Sequence, residues 1–161
     1  MYMLATPSGD VGTKPTITAT ISGQSITIPI TVKSYDEPAP ISFKNETQMA
    51  LTKSGCNMGA CHGSPSGKGG FRLSLRGYDP ALDIVTLRSE FYGRRTNIVA
   101  PNESLLLRKP LMEVPHGGGR KLTKDDHAYG VLRDWIAQGC RLDEPDAATC
   151  KRIEVIPTRR E

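Results

Sequence analysis

The residues with most capacity for chemistry stand together in one short run, Ser54-Gly55-Cys56-Asn57-Met58-Gly59-Ala60-Cys61-His62-Gly63. Two thiols lie five positions apart, and an imidazole follows the second directly. The signature of covalent haem attachment is C-x-x-C-H; here four residues separate the cysteines. Three chemistries can use such a run. Haem takes a thioether bond at each of two vinyl groups, and the adjacent histidine ligates the iron from one face. A structural zinc ion accepts the Cys56/Cys61 spacing, with His116 or His127 completing the set. A Cys56–Cys61 disulfide leaves His62 without a role. Zinc meets a local difficulty, because the consecutive Cys61 and His62 must both point at one small tetrahedral ion. Haem removes it, since sulfur goes to the porphyrin edge and imidazole to the centre. Haem is therefore the favoured reading. The chain between the cysteines must then bulge, and Asn57 and Gly59 are expected to supply left-handed backbone for it.

Haem iron held in this way commonly takes Met or His on its other face. Met58 and Met49 lie too close to the motif, which leaves Met112, His116 and His127. His116 follows Pro115 and precedes Gly117, Gly118 and Gly119, and glycines let backbone approach a flat ligand closely. It is the preferred distal ligand, with Met112 as the alternative. His127 falls in the first turn of the last helix and is expected to be solvated.

The pattern along the chain says what must position these groups. Up to about residue 41, "TITATI" and "SITIPITV" alternate β-formers with polar residues around Ser22-Gly23-Gln24, which predicts a β-hairpin with Ile26, Ile28, Ile30 and Val32 on one face. Pro29 suits an edge strand. A linker, "DEPAP", follows. From Ser42 the period becomes helical, with Phe43, Thr47, Ala50, Leu51 and Ser54 on one face and Gly55 closing the helix. "FRLSL" predicts a short strand. Asp79 and Pro80 open a second helix, and "PNESLLLRKP" a short one stopped by Pro110. Thr123 is expected to cap the last helix, whose apolar face is Ala128, Val131, Leu132, Trp135 and Ile136, with Gly139 at its end. "KRIEVIPT" reads as a strand.

Several of these runs, in this order, carry a family likeness: "SGCNMGACHGSPSGKGGFRLSLRGYDPALD", "GRR", "PNESLLLRKP", "PHGGG" and "LRDWIAQG". Together they resemble the planctomycete-type cytochrome c domain of large exported proteins, typically found beside bacterial immunoglobulin-like modules. The resemblance implies a mainly α, cytochrome-c-like helical haem domain over residues 42–142, with first and last helices packed near the haem. It implies haem c held by Cys56 and Cys61, with His62 as proximal iron ligand. A Met-Pro segment supplies the distal ligand in related domains. Pro115-His116 stands in that region here, which favours two histidines. The flanks, a hairpin and linker over 1–41 and a loop and strand over 143–161, then look like remnants of immunoglobulin-like neighbours. With Cys56 and Cys61 taken by haem, a Cys140–Cys150 disulfide is the economical pairing of the remaining cysteines. Haem attachment and a disulfide both imply a periplasmic or cell-surface location.

Basic residues near the motif, Arg94, Arg95, Arg108, Lys109, Arg120 and Lys121, are candidates to meet haem propionates. Arg94 and Arg95 are the preferred pair, because a guanidinium binds a carboxylate in two-pronged fashion. Phe71, Tyr78, Tyr92, Leu105, Leu106 and Trp135 are expected to line haem or core. The formal net charge of +4 comes without a run of like charges, which argues against a nucleic-acid tail. No apolar stretch is long enough to span a membrane. No Ser/His/Asp set, phosphate loop or carboxylate pair points to catalysis on an organic substrate. The chain therefore reads as an electron-transfer module rather than an enzyme, working with a redox partner protein or neighbouring domain. A haem-based sensor of a gas or small ligand is the alternative, and a structural zinc module a third reading.

Overall fold

The computed structural model describes residues 16–30, 39–147, 149 and 151–155. It divides into two units, residues 1–39 and 40–161. In the first, β1 (Thr16–Ile21) and β2 (Gln24–Pro29) pair antiparallel, with Thr16 opposite Pro29 and Ile21 opposite Gln24. Ser22 and Gly23 are both left-handed, with φ of 52° and 80°. Such a two-residue turn matches the twist of the strands it joins. Gln24, expected in the turn, belongs to the strand. The Thr18 and Thr27 hydroxyls, directly opposite, lie 3.2 Å apart, a cross-strand pair that supports the register. Ile26 and Ile28 are exposed, and Val32 lies outside the described residues.

The second unit is helical. A wide π-helical turn (Phe43–Thr47) runs into α1 (Gln48–Lys53). Then come α2 (Pro80–Arg88), a short segment α3 (Glu90–Gly93), α4 (Leu105–Arg108) and α5 (His127–Ala137). The described chain is thus mainly α with one small antiparallel sheet. Asp79 caps α2 as its sequence requires, its carboxylate accepting from Leu82 N at 3.0 Å with Pro80 in the first turn. A cap oxygen and a first-turn proline both suit the start of a helix. Segment α3 is not a regular helix, since Phe91 (φ 50°) and Tyr92 (φ 59°) are left-handed. That conformation costs about 1–2 kcal/mol for each residue.

Three expectations about elements need correction. "FRLSL" forms no strand: its residues make only an isolated Lys68–Phe71 bridge. Leu73 N donates to His62 O, and Ser74 N to the buried Asp83, so this backbone is spent on the motif loop and α2. The last helix starts at His127 rather than after Thr123, with Asp126 at its N-cap; residues 123–126 form a separate turn, in which Asp126 N donates to Thr123 O at 3.2 Å and the Asp126 carboxylate accepts from Thr123 N at 2.6 Å. Residues 151–155 are irregular and exposed, and the rest of the expected C-terminal strand lies outside the described residues.

The core is built where α1 and its leading turn meet α5. Phe43, Leu51, Leu107, Leu132, Trp135 and Ile136 are buried together, with the Phe43 and Trp135 rings 5.4 Å apart. The ends of these elements are tied by polar groups. Ile41 N donates to the Gln138 side chain at 2.8 Å. The Asp143 carboxylate accepts from Phe43 N at 2.8 Å and Lys44 N at 2.9 Å. It therefore caps the first helical turn from the far end of the sequence. Asp143 belongs with this unit, one residue past the boundary expected at 142. Beneath α2, Asp83 is wholly buried and receives Gln48 Nε2, Ser74 N and Ser74 Oγ at 2.6–2.7 Å.

Burial alone would raise the Asp143 carboxyl, but the Ser42 hydroxyl and the two amides outweigh it and hold it below its ordinary 3.8. Hydrogen bonds to the charged form act in that direction. A depressed folded-state value means stability that is complete above the unfolded value and lost as pH falls through the folded one. Asp143→Ala should therefore cost about 1–2 kcal/mol at neutral pH. In urea denaturation the gap between parent and variant should shrink as pH is taken below about 4. A gap independent of pH would mean the carboxylate's charge is not what caps the turn.

Candidate functional site

The end of α1 delivers the motif. Gly55 is left-handed (φ 74°), and a glycine in that conformation closes a helix. Cys56 N donates to Leu51 O at 2.9 Å. The chain then folds back on itself: Cys61 N and Gly63 N both donate to Met58 O, and His62 N to Cys56 O at 3.0 Å. Asn57 and Gly59 do not take the left-handed backbone expected of them; Gly55 makes the reversal instead. Asn57 is fully buried, and its side-chain amide donates to Thr52 Oγ1. A Cβ at Gly63 would run into the Asn57 carbonyl, so only glycine can follow His62 here.

Cys56, Cys61, His62 and His116 all line one cavity of about 390 Å³. That volume is within the usual range for small-molecule and cofactor sites. The two imidazoles face each other across it, ring centres 6.3 Å apart and planes within 17°. His62 Nδ1 lies 3.0 Å from Phe71 O, and His116 Nδ1 lies 2.7 Å from Gly119 O. A carbonyl only accepts, so each Nδ1 carries the hydrogen, and in the neutral tautomer this leaves the lone pair on Nε2. Backbone carbonyls orient metal-binding histidines in this way. Burial lowers the His62 pKa below 6.5, and the neighbouring His116 and Arg95 add to the effect. Both causes favour the neutral ring. Burial pushes the Cys56 thiol up to about 11, helped by Cys61, so it remains a thiol at neutral pH.

The other expected residues divide. Met112 is exposed and left-handed (φ 63°) and does not line the cavity. His127 is exposed at the start of α5. Phe71, Leu105 and Leu106 line the cavity, Trp135 is in the core, and Tyr78 and Tyr92 point to solvent. Lys109 and Lys121 line the cavity with Lys68, and among the described residues none of its lining is acidic. Cys140 is buried in the core with left-handed backbone (φ 53°); its expected partner Cys150 lies outside the described residues.

Arg94 and Arg95 both line the cavity but differ in kind. Arg94 is exposed at the rim. Arg95 is buried, and its guanidinium is already engaged by Thr86 O (2.8 Å), Gly70 O (2.7 Å) and Glu90 (3.2 Å). It also lies over the Phe71 and Phe91 rings, at 4.7 and 5.2 Å from their centres, within reach of a cation–π attraction. Phe71 is the residue whose carbonyl orients His62 and whose ring lies 4.4 Å from the imidazole. Arg95 is thus a brace behind Phe71 and His62, leaving Arg94 as the exposed member of the pair. Sequence reasoning missed the roles of Phe71 O, Gly119 O and Asp83, because backbone acceptors and buried carboxylates have no local sequence signal. No protein-family model, curated protein or solved structure matches this chain.

Arg95→Gln should cost about 2–3 kcal/mol, because it removes charge-assisted bonds to buried carbonyls and two ring contacts. Arg94→Gln should stay within about 0.5 kcal/mol. Chemical denaturation of the two variants against the parent chain checks the contrast, and equal small losses would remove the bracing role.

Proposed function

We propose that this chain is a c-type cytochrome domain that binds one haem c through Cys56 and Cys61, with His62 and His116 as axial ligands, and carries single electrons. The observation behind this reading is that His62 and His116, with ring centres 6.3 Å apart, near-parallel planes and each Nδ1 held by a backbone carbonyl, line the same cavity as both cysteines. Among the described residues, no three His, Cys, Asp or Glu side chains converge as a metal site. A structural zinc ion takes four protein ligands, whereas two imidazoles suit an iron whose remaining ligands come from a porphyrin.

Bound haem would supply reversible one-electron chemistry at the iron. The chain's own contribution is to orient the two imidazoles through their Nδ1 atoms and to present apolar Phe71, Leu105 and Leu106. It also places Arg94, Lys68, Lys109 and Lys121 along the same cavity, where propionates need counter-charge. The helix pairing of α1 with α5, the motif at the end of α1 and the distal histidine ahead of α5 are the features a cytochrome-c-like fold would need. The electrons would pass to a redox partner protein or a neighbouring domain, in a periplasmic or cell-surface setting. Among the described residues no helix is long and apolar enough to cross a membrane.

A pyridine haemochrome spectrum of the purified chain is the first test, with haem expected to stay attached through denaturation and acid extraction. Cys56→Ser and Cys61→Ser should each leave one thioether and shift the haemochrome band. His116→Ala should open the reduced protein to carbon monoxide, His116→Met should raise the reduction potential, and Met112→Leu should change neither. Absence of haem would remove the proposal. Rapid carbon monoxide binding by the parent protein would favour a ligand sensor over electron transfer.

A further inference from the structure

The three glycines after His116 are not interchangeable. A Cβ at Gly117 would meet nothing within 4 Å. Gly119 is left-handed (φ 69°), so its hydrogen serves the backbone, and its carbonyl holds His116 Nδ1. Gly118 is different again. It lines the cavity itself and is outside the left-handed region, so its backbone does not demand glycine. Yet a Cβ there would lie 2.9 Å from Cε1 and 3.2 Å from Nε2 of the His116 ring. The Cε1–Nε2 edge of the His116 ring thus occupies the space that a side chain at 118 would need.

We infer that Gly118 is the positioning residue of the distal site, and that the absence of a side chain there is what lets His116 stand opposite His62. This rests on the proposed function for its spectroscopic consequence, though not for its geometry. With a methyl group at 118, the nearest ring atom must retreat from 2.9 Å to at least 3.4 Å to reach ordinary contact. Ligand distances in a metal site tolerate only about 0.2 Å. The retreat is cheap for the fold, because an imidazole at the cavity edge can rotate about its own side-chain bonds, and expensive for ligation. Stability and ligation should therefore separate.

The test compares Gly118→Ala with Gly117→Ala in the full haem-bearing chain. Gly117→Ala should keep the parent's low-spin spectrum and its resistance to carbon monoxide. Gly118→Ala should lose that spectrum and form a carbon monoxide adduct on reduction, while its denaturation midpoint stays near the parent's. An unchanged spectrum in Gly118→Ala, or the same loss in both variants, overturns the assignment. A parent chain without haem would sink the functional reading alone. The packing is then read by nuclear Overhauser contacts between the His116 ring and the Gly118 α-protons: their presence upholds the seat, and their absence overturns it.

Discussion

Everything at the cavity hangs from the contact between the first helical turn and the last helix. Phe43 packs on Trp135 at full burial, and the amides of Phe43 and Lys44 are taken up by Asp143 after the chain has passed through α5. This closes the two ends of the unit on each other and fixes the direction of α1. The cysteine motif is the direct continuation of α1, so its position is a consequence of that contact. The distal loop is tied down from the same side: Lys121 N and Leu122 N both donate to Pro110 O, with Leu122 buried in the core just ahead of α5. Two loops far apart in sequence can face each other reproducibly only because both issue from one packed helix pair.

Within that frame the imidazoles are steered locally. Each ring is turned by a carbonyl from its own neighbourhood, Phe71 for His62 and Gly119 for His116, so neither orientation depends on a long side chain finding its place. The supports differ in stiffness. Phe71 is backed by Arg95, which is itself anchored on Gly70, Thr86 and Glu90. Gly119 sits in a run of glycines where added Cβ atoms at 117 and 119 would meet open space. His62 thus rests on a braced wall, and His116 on a run of glycines with open space at 117 and 119.

How far the sequence made this legible depends on whether an element is specified locally. Asp79-Pro80 starts α2 where read, since a cap and a first-turn proline act within one turn. The hairpin follows from alternation and a Ser-Gly turn. That His62 and His116 matter to one site was also readable, since both line the same cavity, and adjacency to Cys61 and a proline-glycine setting marked them out. Other features were not. Nothing near "FRLSL" says that its amides are promised to His62 O and Asp83, contacts that exist only in the fold. Thr123 and Asp126 carry the spacing of a capping box, and the Thr123 N to Asp126 bond forms, but the backbone between them makes a turn and the helix begins only at His127. Arg94 and Arg95 read alike in sequence; one is exposed and the other buried because only the second can reach the Gly70 and Thr86 carbonyls.

The strained turn at Phe91 and Tyr92 connects these points. Two non-glycine residues in the left-handed region are an expense that a fold keeps only where the surroundings enforce it. Here they carry the chain from α2 to Arg95 quickly enough for the Phe91 ring to fold back over the guanidinium, which Phe71 also contacts. Arg95 is then held by two aromatic rings and a set of oxygen acceptors, a setting that lysine, with its compact and strongly hydrated ammonium, would not fill. The strain at 91 and 92 is therefore traded for rigidity at His62, reached through Arg95 and Phe71. The local cost of the turn and the placement of the His62 imidazole are two ends of one chain of contacts, Phe91 to Arg95 to Phe71 to His62.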